Sequence, residues 1–494
     1  MVRLFLIIIS LIIADYCFAQ DSFDDFKARM DKSYNSFKES ENKKFNDFRR
    51  KVNSEYSRMV KESWEQLEAL KGLPAPKDDK PVPPVVYPEE DKNKPIKDDT
   101  KPIVEVVPVA PPAPKPEPVV PIKEKPIPTQ SYFYFEYLGS KLKVRLDKDM
   151  KFRINDCSEN SIAKVWDMLS KDEYLPLISD CLEIRDKYNY SDWAYLMMLK
   201  CLSVAFFNQQ YNESTILMAY IYCQSGYKMR LATAEGKLFM LYSSEHKIYD
   251  LPYWNVDNEM YYPFECKLSK LSICRAKFPQ ESPMSLFIRG IQHFGERYSQ
   301  YRKLESKRYP TVKANVRTNS NLIEFYNTYP TSYVNDDFGT RWAMYANTPL
   351  EEETKRTLYP SLKTAINGLS QKESVERILN FVQTAFEYEY DDKVWGEDRA
   401  FFAEESLFYP YCDCEDRSIL FSRLVRDLVG LNVVLIYYPG HLATAVQFTE
   451  SVVGDNVVLN GAKYVICDPT YIGAPVGLTM PKMDNASAKV IMLQ

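Results

Sequence analysis

Along residues 23–70 the apolar positions Phe23, Phe26, Met30, Tyr34 and Phe37 recur as Phe45, Phe48, Val52, Tyr56 and Met59, each displaced by twenty-two residues. Six turns over that period give about 3.67 residues per turn, so the stripe stays on one face of a nearly straight helix. The rest of the segment is dominated by Lys, Arg, Glu and Asp. The pattern predicts an amphipathic helix over 20–71 whose aromatic face packs on a second copy, on a membrane surface or on the protein's own body. Periodicity then vanishes. Residues 72–128 hold seventeen prolines among Lys, Glu, Asp and Val, which predicts a disordered, polyproline-II-like spacer of roughly 3 Å per residue.

Beyond the spacer, Tyr132–Tyr137 and the alternating Leu142, Val144 and Leu146 flank Gly139-Ser140, a hairpin signal. Helical spacing follows at 162–169, 174–188 and 193–207. Residues 210–243 can be laid without a gap on 414–447, matching Ser214 with Ser418, Gly226 with Gly430, Leu231 with Leu435, Gly236 with Gly440 and Leu238 with Leu442. The pattern divides the remainder into an α+β domain over 129–310 and a second domain over 311–494, the first read as a degenerate copy of the second.

The second domain carries the chemistry. After Cys414 the apolar residues Leu420, Phe421, Leu424, Val425 and Leu428 keep helical spacing, Arg417, Arg423, Arg426 and Asp427 form the other face, and Gly430 stops the helix. Cys414 is therefore expected just before a helix N-terminus, where backbone N–H groups and the dipole favour a thiolate, with Asp416 as the cap. His441 follows the turn pair Pro439-Gly440 and opens a buried strand, and Asp468 ends the strand-like run 464–467 before Pro469. Nucleophile, base and orienting carboxylate in the order Cys, His, Asp are the parts of a thiol-dependent acyl-transfer site, which the fold must assemble because the three are far apart in sequence. In the first copy the same positions hold Gln210, Asn212 (for Asp416) and Lys237, which cannot supply a thiolate–imidazole pair.

The run Tyr409-Pro410-Tyr411-Cys412-Asp413-Cys414-Glu415-Asp416-Arg417-Ser418, then Gly440-His441, then Cys467-Asp468-Pro469-Thr470, resembles the Cys-x-Asp, His and Asp-Pro-Thr signatures of the transglutaminase-like superfamily, in its secreted bacterial type. The stretches 387–390, 396–399 and 403–407 resemble the segment such domains place before the nucleophile. The likeness spans roughly residues 370–475, under a quarter of the chain. It implies a papain-like α+β fold, with Cys414 as nucleophile, His441 as general base and acid and Asp468 as its partner, acting on peptide or carboxamide bonds, hydrolysis being favoured over cross-linking. It implies no cofactor. One departure is Cys412, which stands where a small residue is often found.

Two other uses of these residues stay open in the sequence: Cys412, Cys414, His441 and Cys467 as four zinc ligands, and a non-catalytic papain-like scaffold at the cell envelope. The Cys-x-Cys spacing is tighter than zinc sites favour and leaves Asp416 unexplained, so no metal is expected. Met1-Val2-Arg3 and the apolar run 4–14, followed by Cys17-Phe18-Ala19, read as a signal peptide over 1–19 of an exported protein, periplasmic or extracellular, with lipidation at Cys17 weighed against it. Nine cysteines follow that leader, and pairing and reduced burial are both open for them. A net charge of −5 without a basic patch argues against nucleic acid. No Walker loop, Gly-x-Gly-x-x-Gly or His-Glu-x-x-His occurs.

Overall fold

A computed structural model describes residues 2–74, 81–102, 105–118, 122, 131–396 and 399–494, with side chains from residue 25. The leader and Cys17 side chains, the spacer pieces 75–80, 103–104, 119–121 and 123–128, and Glu397 and Asp398 of the upstream motif lie outside the described residues. The molecule is mixed α+β, and two antiparallel sheets organise it.

Five strands form the body of the first sheet: β1 (Met229–Ala234), β2 (Lys237–Tyr242), β3 (Trp254–Val256), β4 (Glu259–Phe264) and β5 (Lys270–Cys274). Five more form the body of the second: β6 (Asn432–Tyr438), β7 (His441–Gln447), β8 (Asp455–Leu459), β9 (Ala462–Cys467) and β10 (Lys489–Ile491). Their orders are β5-β1-β2-β4-β3 and β10-β6-β7-β9-β8, which is one topology used twice. The leading hairpins share a register as well, Ala234 facing Lys237 as Tyr438 faces His441. Strand side chains alternate between faces, and here both faces are covered. Val433 and Leu435 enter the main core while Val434 and Ile436 enter a second cluster, so β6 reads as an almost unbroken apolar run.

Helices supply the main core: α1 (Val2–Glu62), α2 (Glu159–Leu169), α3 (Asp192–Phe207), α4 (Tyr211–Gln224), α5 (Gln371–Ala385) and α6 (Cys414–Leu428). In each unit a helix lies on the second strand, α4 on β2 and α6 on β7. The expected hairpin forms between Tyr132–Tyr137 and Ser140–Arg145. Another hairpin, Arg302–Glu305 with Lys313–Val316, runs through the domain boundary expected after residue 310.

Two expectations change. The long helix stops at Glu62, and Trp64–Glu68 pairs with β5 instead of continuing it. Its aromatic stripe splits. Val52, Tyr56 and Val60 are buried, with the Tyr56 ring 4.8 Å from that of Trp166 on α2, whereas Phe26, Met30, Tyr34 and Phe37 stay exposed. Asn53 fixes the docked half by accepting from Trp166 Nε1 at 3.1 Å. The proline-rich segment is also more than a spacer. Val85–Val86 pairs with Tyr471–Ile472, Asp99–Thr100 extends the sheet beyond β8 and Glu105–Val107 extends it beyond β10, all parallel. The proline-free pieces can donate to a ladder, and sheet edges tolerate proline on either side of them.

Candidate active site

Asp413 caps α6: its Oδ1 accepts from the N–H groups of Glu415 at 3.1 Å and Asp416 at 3.5 Å, while its own N–H donates to Asp416 Oδ2 at 3.2 Å. The cap is thus Asp413, not Asp416. Asp416 closes the capping box and takes the Phe401 amide at 2.8 Å. Cys414 becomes the first helical residue, on the first turn rather than before it. One turn on, Ser418 donates its hydroxyl to the Leu442 carbonyl at 2.8 Å and ties this helix start to the start of β7. Arg417 is buried instead of lying on the outer face. Its guanidinium donates to Gln383 O at 3.2 Å and Phe386 O at 3.0 Å.

Pro439 presets the turn and Gly440, at φ 73°, supplies the left-handed residue, so His441 enters as the first residue of β7. His441 Nε2 lies 2.9 Å from Asp468 Oδ2. The other carboxylate oxygen accepts from Thr470 N at 2.9 Å and Tyr471 N at 3.2 Å. An ionised carboxylate only accepts. Toward such a carboxylate Nε2 is the donor, and Nδ1 is buried without a hydrogen bond. His441 and Asp468 are thus joined, whereas Cys414 and His441 lie on two elements, α6 and β7, that pack together, and no hydrogen bond reaches His441 Nδ1. Cysteine–histidine pairs commonly stand loose before substrate binds.

Electrostatics around the sulfur run against the expected thiolate. Burial pushes the Cys414 thiol well above its ordinary range, and Asp413 and Glu415 add to this, against the Leu442 N–H, which favours the anion. Desolvation dominates in a site where Cys414, His441 and Asp468 are 4 %, 2 % and 2 % exposed. Cys412 and Cys467 are raised by burial too, and their sulfurs donate to Glu387 O at 3.9 Å and Val465 O at 3.6 Å. Among the described residues the one group of potential ligands is Asp413, Cys414 and Glu415, so the four soft ligands considered for zinc do not converge. All nine described cysteines are free thiols.

Two residues escaped sequence reasoning. Gln383, on α5, donates Nε2 to the carbonyls of Asp468 at 3.1 Å, Tyr471 at 2.8 Å and Ala474 at 3.1 Å, and accepts from Gly473 N at 3.1 Å. It holds the loop that carries the carboxylate. The same helix also buries Ser374 and Asn380, so the sequence pattern does not single Gln383 out. Tyr388 places a buried hydroxyl, without a hydrogen bond, close enough to Cys414 to be affected by its charge. The strap 81–87 crosses the same region: Val82 N donates to Gly440 O at 2.8 Å and Tyr87 N to Ile472 O at 2.8 Å.

The first unit shows what the shared topology holds where these groups are missing. Met240 faces Phe264 as Thr444 faces Cys467, so Glu265 occupies the place of Asp468. Lys237, in the histidine position, is exposed. Asn212 accepts the Leu238 amide at 2.9 Å, the counterpart of the Leu442 amide beside the sulfur. No protein-family model matches the chain, and no curated protein sequence is significantly similar to it.

Proposed function

We propose that this protein is a cysteine-dependent acyl-transfer enzyme of transglutaminase-like, papain-like type, exported to the periplasm or extracellular space, that cleaves peptide or carboxamide bonds. The observation that carries the reading is the buried His441–Asp468 hydrogen bond on the strand against which the Cys414 helix is packed. Cys414 attacks the carbonyl as its proton moves to His441 Nδ1, so the thiol is deprotonated during attack and needs no standing thiolate. Asp468 holds Nε2–H and balances the imidazolium that forms. The Tyr388 hydroxyl is a donor available to the oxyanion. Collapse of the adduct expels the amine, which takes the proton from His441, and a water activated by the same Nδ1 then releases the acid and restores the thiol. The first unit is the copy that has lost this chemistry, and the exposed aromatic stripe of α1 serves self-association or contact with a membrane surface. No described helix is long and apolar enough to cross a membrane.

The test is release of amine from a peptide and carboxamide library by the full chain and by Cys414→Ala. Turnover that needs Cys414 and forms a thioester visible by intact mass supports the proposal, and equal rates for both proteins sink it. A second reading, a scaffold with a relict site, is favoured by the raised Cys414 thiol and the missing Cys414–His441 hydrogen bond. It predicts no thioester with any substrate.

A further inference from the structure

In the first unit a cavity of about 140 Å³ opens between α3, α4 and the sheet, and Glu265, the counterpart of Asp468, lines it. Met218 on α4, Met240 on β2 and Phe264 on β4 line it together with Val204 on α3. Cavities of about 150 Å³ with apolar walls accept a benzene-sized guest, and methionine walls adapt to the shape of what enters. The mouth is of opposite character. Glu265, at the position of Asp468, pairs there with Lys200, and both side chains are partly exposed.

We infer that this relict site is a binding site for a free apolar amino acid of phenylalanine or leucine size, its side chain in the cavity and its ammonium and carboxylate on Glu265 and Lys200. Volume selects the side chain. The two signs at the mouth select a zwitterion over a neutral peptide segment, because each ligand charge exchanges one half of an existing ion pair. Tyr211, 40 % exposed, also lines the cavity. The assignment rests on the strand correspondence and the cavity, not on Cys414 being catalytic.

Methyl-labelled methionine reports directly. In the full chain carrying Cys414→Ala, L-phenylalanine should move the Met218 and Met240 methyl signals in a saturable titration, while the exposed Met30 stays still. N-acetyl-phenylalaninamide should bind roughly fivefold or more weakly, the effect of about 1 kcal/mol of charge pairing. Glu265→Gln should weaken phenylalanine by a similar factor without altering the unliganded spectrum elsewhere. The inference is overturned if neither probe moves those two methyls at millimolar concentration, or if the neutral amide binds as tightly as the amino acid. Because Cys414 is absent from the sample, failure here leaves the enzymatic proposal untouched, and failure of that proposal leaves this one standing.

Discussion

Asp468 divides its carboxylate between two tasks, one oxygen 2.9 Å from His441 Nε2 and the other on the amides of Thr470 and Tyr471. Replacing it by Asn removes the acceptor that fixes the imidazole tautomer, so Asp468→Asn should retain the fold and lose on the order of 10²- to 10⁴-fold in turnover. Cys412→Ser should leave turnover within about twofold and release no zinc by elemental analysis, since such a site would have contributed folding free energy. A silent Asp468→Asn would remove the triad from the account.

Gln383 satisfies three carbonyls around the Asp468 loop with one amide. Gln383→Leu strands them in the interior and should cost about 1–3 kcal/mol in denaturant unfolding. A positioning role adds something that lost stability alone does not: turnover should fall at pH values where the protein is fully folded, with the base limb of the pH–rate profile displaced.

Alkylation of Cys414 is expected to be slow at pH 6, because burial and the neighbouring carboxylates hold the thiol high. The rate should keep rising with pH beyond the ordinary thiol range instead of levelling off there. An acylating probe that engages His441 should instead label Cys414 at neutral pH and fail on His441→Ala, as read by peptide mapping. Rapid iodoacetamide labelling at pH 6 would contradict the burial described above.

Glu404 and Glu405 are buried carboxyls pushed up to about 7, chiefly by desolvation. Their folded-state values lie above the unfolded one near 4.5, so the folded protein binds more protons in that interval. Their contribution is complete below about pH 4.5 and is lost as pH rises through 7, up to about 3 kcal/mol each. Calorimetry should show Tm falling between pH 5 and pH 8, and Glu404→Gln should flatten that slope.

How much the sequence revealed depended on whether a signal was local. The 3.6-residue spacing after Cys414 and the Pro439-Gly440 turn located helix and strand because each follows from neighbours along the chain. The sign of the Cys414 shift did not follow, since helix start and burial oppose each other and only the fold sets the degree of desolvation. Gln383 was silent for a related reason: the loop carbonyls it holds lie eighty-five and more positions away. The α1 stripe was legible as a helix face, but nothing in its repeat tells the docked half around Tyr56 from the exposed half around Tyr34.

That split gives the stripe its own test. Deleting residues 21–41 removes Phe26, Met30, Tyr34 and Phe37, all exposed, and should abolish self-association or vesicle binding in sedimentation while turnover is unchanged. Extending the deletion to residue 62 also removes Val52, Tyr56 and Val60, and should lower Tm sharply through loss of core packing. Unchanged sedimentation after the shorter deletion would leave the exposed face without a partner.

The proline-rich segment sets the order in which the molecule can be completed. Thr100 meets Asn456 across 356 positions of sequence, and Glu105–Val107 waits for Lys489–Ile491 at the far end of the chain. Pairings of such separation are slow to form, and during synthesis these strands emerge long before the edges they will cover. Without these two segments, the sheet that carries His441 has two bare flanks open to foreign strands. A fragment begun at residue 311 would lack both covering strands and keep those flanks bare permanently.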